Sequence, residues 1–161
     1  MSDECYMVRE FIYKGVLISF VYFMAINSLF AASTDEVKQN IINQAKSMGV
    51  EPAIVLSIAK TESGFRQDIK SAGGHIGVFQ LSPATAKNMG YNPYDLDDNI
   101  KAGITYYKSM YKMFGSMELA VAAYNSGPVA IQRNNNTIPH HSKHFVHRIM
   151  NDYKQYKSAG L

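Results

Sequence analysis

The sequence predicts a mainly α-helical, compact domain of short helices, with room for a small β-hairpin near Gly73–Leu81. Apolar residues recur at the spacing of buried helix faces. Glycine and proline stand where these apolar segments begin and end. No alternation typical of a strand extends beyond a few residues. The 161 residues leave room for one domain with a core of ordinary size.

Residues 1–33 have the pattern of an export signal. Basic residues precede an apolar run from Gly15 to Phe30, and Ala31–Ser33 supplies the small residues that a signal peptidase prefers. The alternative is an uncleaved membrane anchor, because the run approaches the length that spans a bilayer. Both interpretations leave residues 34–161 as the working domain and place it outside the cytoplasm.

Composition argues against a nucleic-acid partner and against internal disulfides. The net charge is only +3, and the sequence lacks the cluster of Lys and Arg that is typical of nucleic-acid-binding proteins. The single cysteine, Cys5, excludes an internal disulfide, so an exported domain must be held by its core alone. A mildly basic domain suits an anionic wall polymer or a membrane surface.

Caps and helix breakers predict three helices in the first half of the domain. A proline at the first helical position is favourable, because its missing N–H would be unpaired there. A serine before a proline reads as an N-cap, and glycine ends helices. The predicted helices run between Asp35 and Gly49, Pro52 and Gly64, and Ser82 and Met89.

Four further helices are predicted in the second half. Asp98 or Asn99 caps the longest of them, and its inward face carries Ile100, Ile104, Tyr107, Tyr111 and Phe114. Ser116 caps the next helix. The four helices end near Phe114, Tyr124, Gln132 and Lys157, and the last begins near Ser142.

Glu62 is the leading catalytic candidate, since it follows an apolar helical run. A carboxyl group held against apolar walls has a raised pKa and is suited to donate a proton. The alternative is a solvated residue where the helix frays. Gln80 is a polar amide inside an apolar segment and needs a partner, which a sugar would provide. Tyr124 is either a site residue or a core tyrosine with its hydroxyl bonded.

Four segments resemble the motifs of one family. They are Glu62-Ser63-Gly64-Phe65, Gly77-Val78-Phe79-Gln80, Asn99-Ile100 with Gly103 and Tyr106-Tyr107, and Ala122 through Pro128. In this order they resemble the Slt-type lytic transglycosylases, whose catalytic domain is lysozyme-like. The resemblance covers roughly residues 37–157. The chain is also similar to the small specialised enzymes that accompany secretion, pilus or conjugation systems.

The resemblance implies a peptidoglycan lytic transglycosylase, which cleaves the β-1,4 bond between N-acetylmuramic acid and N-acetylglucosamine and forms a 1,6-anhydromuramic end. It implies that Glu62 is the catalytic acid and base. Ser71, Gln80, Tyr124 and Asn125 match substrate-binding positions. The implied partners are peptidoglycan glycan strands and a secretion, pilus or conjugation system. We expect a monomer without cofactor or metal, in the periplasm or anchored to the inner membrane.

Two departures from the family pattern stand out. Val78-Phe79 replaces the usual Leu-Met, and His141 stands where a late acidic residue is usual.

Two other functions stay open. One is a hydrolase of goose-type lysozyme character, for which Asp68 is the first candidate as a second acid. The other is a non-catalytic glycan-binding assembly factor.

Histidines and tyrosines supply the remaining candidates. The helical spacing of His140, His141, His144 and His147 allows a zinc site, but a solvated or cleft-edge basic face is the favoured interpretation. Three tyrosines are candidates for a cleft wall: Tyr91, Tyr94 and Tyr106.

Overall fold

The structure, a computed structural model, describes residues 33–161. This part of the chain is mainly α-helical, as predicted. The export segment predicted at residues 1–33 lies, except for Ser33, outside the described residues. No helix within residues 33–161 is long and apolar enough to cross a membrane. The helices are α1 (Thr34–Ser47), α2 (Pro52–Ser63), α3 (Pro83–Asn88), α4 (Leu96–Phe114), α5 (Met117–Ser126), α6 (Pro128–Arg133) and α7 (Lys143–Ser158), with a 3₁₀ turn (His140–Ser142) before α7.

Several predicted caps are present. Pro52 is the first residue of α2, and Gly64 ends that helix in the left-handed conformation, at φ 63°. The Ser82 side chain accepts a hydrogen bond from the Thr85 N–H at the start of α3, and Ser116 accepts one from the Leu119 N–H at the start of α5.

The predicted start of α4 is wrong. Asp95 is the N-cap, because its carboxylate accepts a hydrogen bond from the Asp98 N–H at 2.9 Å. Asn99 is instead fully buried in the core. Tyr111, predicted to face inward, is 46% exposed. Asp35 lies in the first turn of α1 and forms an ion pair with Lys38.

The segment between α2 and α3 forms a tight loop. Two isolated antiparallel bridges join Ile76 to Lys70 and to Leu81. These bridges are the extent of β pairing in residues 33–161, so the anticipated hairpin is reduced to single pairs.

Helix α2 is the centre of the core. Every residue from Ala53 to Ala59 is buried, and the helix packs against α1 and α7. Helix α4 packs along α5, and α5 also contacts α6 and α7. This packing places the carboxyl end of α2 beside the carboxyl end of α5, with the loop before α3 closing the third side.

Candidate active site

A cavity of about 470 Å³ lies where α2, α5 and the loop before α3 meet. All five residues proposed from the sequence line it: Glu62, Ser71, Gln80, Tyr124 and Asn125. The fold therefore brings together residues separated by up to sixty-three positions in the chain.

Glu62 occupies the next-to-last position of α2. Its neighbour Ser63 is buried and fastens the end of the helix to the following loop. The Ser63 hydroxyl donates to the Val78 carbonyl at 2.8 Å and accepts from the Arg66 N–H at 3.1 Å. The Glu-Ser pair thus joins a cavity-facing carboxyl group to an anchor that holds its helix end in place.

Burial raises the pKa of Glu62 from its ordinary value of 4.5 to about 7. The positive charge of Arg148 opposes this effect and lowers the pKa. Arg148 belongs to α7, and its Nη2 donates to the Thr61 carbonyl oxygen at 3.2 Å. Sequence reasoning missed this arginine, because only the packing of α7 on α2 brings the two residues together.

Side-chain hydrogen bonds hold the loop from Ile76 to Gln80 in place. Besides the Ser63 bond, the buried Asn99 side chain accepts from the Phe79 N–H at 2.9 Å and donates to the Ile76 carbonyl at 2.9 Å. The Tyr124 hydroxyl donates to the Phe79 carbonyl at 2.8 Å. Such complete pairing of a buried backbone fixes the loop in one conformation.

The fixed loop presents Gln80 to the cavity in a left-handed conformation, at φ 43°. That conformation is unusual for a residue other than glycine and often marks a functional position. The Gln80 amide nitrogen donates to the Gly77 carbonyl at 2.9 Å. Within residues 33–161 no protein donor reaches its side-chain oxygen, which is therefore the group available to a ligand.

Two motif glycines permit close packing beneath this loop. A Cβ atom on Gly103 of α4 would overlap the Phe79 ring. A Cβ atom on Gly77 would overlap the side-chain amides of Gln67 and Asn99. Their presence in the motifs follows from the lack of space at both positions.

Tyr124 fits both interpretations offered by the sequence. It lines the cavity, yet it is 7% exposed and its hydroxyl is bonded to backbone. Burial and the nearby Glu62 carboxylate raise its pKa well above the ordinary value. Tyr106 packs edge-on against Tyr124, with ring centroids 5.1 Å apart. Tyr106 lines the cavity as expected, but Tyr91 and Tyr94 are not among the lining residues.

Asn125 is exposed at the cavity edge. Its side-chain oxygen accepts a hydrogen bond from the Ser142 hydroxyl at 3.1 Å. Ser142 is buried and immediately precedes α7. This bond joins the end of α5 to the start of α7.

Sequence reasoning also missed polar residues on the cavity wall. His75 is one of them, and its place four residues after Ser71 in a glycine-rich turn was an available signal. The others gave no distinctive signal, since serine and threonine are common in loops and caps. They are Ser82, Thr85 and Ser126.

Glu62 is the one carboxylate among the residues that line the cavity. Asp68, considered as a second acid, is exposed and lies outside the lining. None of the four histidines at 140–147 lines the cavity. Across the described chain, no group of three His, Cys, Asp or Glu side chains is placed to hold a metal ion.

Comparisons with known proteins agree with the motifs. Residues 39–154 match the transglycosylase SLT domain family. The transglycosylase of Enterobacteria phage PRD1 is 34% identical over 79 residues, which cover 48% of this chain and 30% of the phage protein. The soluble lytic murein transglycosylase of Escherichia coli K12 is 31% identical over 91 residues, covering 49% of this chain and 14% of that protein. The chain therefore spans less than a third of these relatives.

A solved structure supports the fold. The 70 kDa soluble lytic transglycosylase of Escherichia coli superposes with a TM-score of 0.66 over 74% of this chain and 24% of its own, at 23% identity. That likeness confirms the compact lysozyme-like helical fold. The family match covers most of the chain and contains Glu62, the anchored loop and the Tyr124 segment. The chain belongs to the transglycosylase SLT domain family.

Proposed function

We propose that this protein is a peptidoglycan lytic transglycosylase. Its substrate would be the β-1,4 bond between N-acetylmuramic acid and N-acetylglucosamine. The observation that carries the proposal is a single cavity carboxyl group, Glu62, whose pKa is raised to about 7. A group with such a pKa holds a proton near neutral pH and can release and regain it.

The reaction needs only one carboxyl group if no water enters. Glu62 protonates the glycosidic oxygen, and the bond between this oxygen and C1 of the muramic sugar breaks. The substrate's own N-acetyl group stabilises the positive charge on the sugar. The Glu62 carboxylate then takes the proton of the sugar's 6-hydroxyl, whose oxygen bonds to C1. The nucleophile is already attached, so its capture costs little entropy.

The other lining residues position the sugar in this proposal. The free oxygen of Gln80 accepts from a sugar hydroxyl or amide. Ser71 and Asn125 offer polar groups at the edge of the cavity. Tyr124 keeps the floor of the site in place through the Phe79 carbonyl and supplies an aromatic wall with Tyr106.

We also propose a place of action. The apolar pattern of residues 1–33 supports export to the periplasm, with cleavage or anchoring of that segment. The resemblance to small specialised enzymes supports local wall opening for a secretion, pilus or conjugation apparatus. The murein enzymes among the relatives support peptidoglycan as the substrate class.

Mass spectrometry of digested wall glycan tests the reaction. The full-length chain should release products that lack one water and have no reducing end. Glu62→Gln should abolish them, and Asp68→Asn, which changes an exposed carboxyl group, should leave them unchanged. Hydrated, reducing products would show a hydrolase instead. Products from Glu62→Gln would refute the role of Glu62, and none from the unaltered chain would favour a glycan-binding factor.

A further inference from the structure

Ser71 and His75 close a tight turn at the edge of the cavity. The Ser71 N–H donates to the His75 carbonyl at 3.0 Å, and the Gly74 N–H donates to the Ser71 carbonyl at 2.9 Å. The His75 N–H donates to the Ser71 hydroxyl oxygen at 3.1 Å. The turn thus fixes the position of the Ser71 hydroxyl, and its two end residues, both exposed to solvent, line the cavity.

The imidazole ring of His75 folds back over this turn. Its Nδ1 atom lies 3.3 Å from the Ser71 hydroxyl oxygen. Gly73 makes room for the ring, because a Cβ atom there would lie 3.1 Å from Nδ1 and 3.3 Å from Cε1. The ring therefore occupies a space that the absence of a side chain at residue 73 leaves open.

Two tautomers of His75 fit this contact, and each gives Ser71 a different role. A serine hydroxyl has one hydrogen and two lone pairs. One lone pair of Ser71 accepts from the His75 N–H. In the described chain, Nδ1 of His75 is the one acceptor within reach of the Ser71 hydrogen. When Ser71 donates to Nδ1, the ring proton is on Nε2, and the second lone pair of Ser71 stays free.

We propose that His75, protonated on Nε2, is a positioning residue that holds the Ser71 hydroxyl as a hydrogen-bond acceptor for an N–H or O–H group of the N-acetylated sugar. The free oxygen of Gln80 lines the same cavity, so two fixed acceptors would face one sugar. This inference rests on the proposed function, because it assumes that the cavity binds glycan.

Binding to a catalytically silent chain tests the inference. In the full-length Glu62→Gln background, calorimetry gives the Kd for soluble, uncross-linked peptidoglycan strands. His75→Ala should raise this Kd roughly fivefold to tenfold, the effect of about one hydrogen bond. His75→Asn should restore it to within about twofold of the background, because the Asn Oδ1 can replace Nδ1 as acceptor.

Two further variants test whether the placement of the His75 ring matters, and whether replacing a histidine elsewhere affects binding. Gly73→Ala retains His75 but pushes its ring aside by a few tenths of an ångström, so it should weaken binding by less than His75→Ala does. His147→Asn is the matched control, since this exposed histidine contacts Asn151 on α7 and lies outside the cavity lining. It should leave the Kd unchanged.

Kinetics and NMR give independent readouts. With Glu62 present, His75→Ala should raise KM and leave kcat within about twofold. Nitrogen-15 NMR near neutral pH should show the proton of His75 on Nε2. A proton on Nδ1, an unchanged Kd in His75→Ala, or equal losses in His75→Ala and His75→Asn would overturn the inference. So would a fall in kcat without a rise in KM.

The outcomes also distinguish this inference from the proposed function. If the Glu62-containing chain gave no anhydro products while glycan still bound in a His75-dependent way, the proposed reaction would fail and the role of His75 would stand. If anhydro products formed and His75→Ala had no effect on binding, the proposed reaction would stand and the role of His75 would fail. Failure of glycan to bind at all would overturn both.

Discussion

Replacing Glu62 with glutamine should make the folded protein more stable at alkaline pH. The pKa of Glu62 rises from 4.5 to about 7 because folding removes the carboxyl group from water. Between these values the folded protein holds a proton that the unfolded chain releases. Unfolding therefore releases a proton, and the free energy of unfolding decreases as pH rises through this window.

The magnitude follows from the size of the shift. A pKa change from 4.5 to about 7 corresponds to about 3 kcal/mol, at about 1.4 kcal/mol for each unit. Since the side chain is only partly buried, solvent screening reduces this value. We expect the ionised Glu62 to lower the free energy of unfolding by about 2–3 kcal/mol. Glutamine has a similar shape and no charge, so the variant should lack this cost.

Urea unfolding followed by circular dichroism measures the effect. Near pH 4 the two proteins should have similar free energies of unfolding, and near pH 8 Glu62→Gln should be more stable by about 2–3 kcal/mol. Asp68→Asn is the control and should show no comparable pH-dependent gain, because Asp68 is exposed. Equal stability of Glu62→Gln and the unaltered protein near pH 8 would refute the desolvation argument.

Three other variants test the surroundings of the site. Arg148→Met removes a charge that lowers the pKa of Glu62, so the decline of kcat/KM with rising pH should move to higher pH in a pH–rate profile. Tyr124→Phe removes the 2.8 Å bond to the Phe79 carbonyl and should cost about 1–2 kcal/mol in urea unfolding. Asn99→Ala leaves the buried Phe79 N–H unpaired and should cost about 3 kcal/mol in the same assay.

Each of these variants has an exposed counterpart of the same type. Lys143→Met also removes a positive charge from α7, and Tyr94→Phe and Asn88→Ala change exposed residues. Lys143→Met should leave the pH–rate profile nearly unchanged, and Tyr94→Phe and Asn88→Ala should leave the free energy of unfolding nearly unchanged. An unshifted profile in Arg148→Met, or stability losses no larger than those of the counterparts, would contradict the assigned contacts.

Asn99 illustrates the limit of sequence reasoning. Its position after two aspartates suggested a helix cap, since local hydrogen bonding favours asparagine there. In the structure its side chain instead connects three backbone groups of other segments, belonging to Phe79, Ile76 and Pro93. No local pattern reveals this role, because the nearest of these groups is six residues away and the others more than nineteen.

The sequence alone determined most of the helix ends and singled out Glu62 as the catalytic candidate. Gly64, Ser82 and Ser116 mark helix ends through bonds within about four residues, and Pro52 marks one through its missing N–H, so their effect is visible locally. The four motifs were sufficient to select Glu62 and its companions in the cavity. Only the tertiary structure decided that Glu62 is buried with a raised pKa, that Arg148 opposes this rise and that His75 pairs with Ser71. Solvent exclusion and charge act through space, and they depend on how α2, α5, α7 and the loop before α3 pack together.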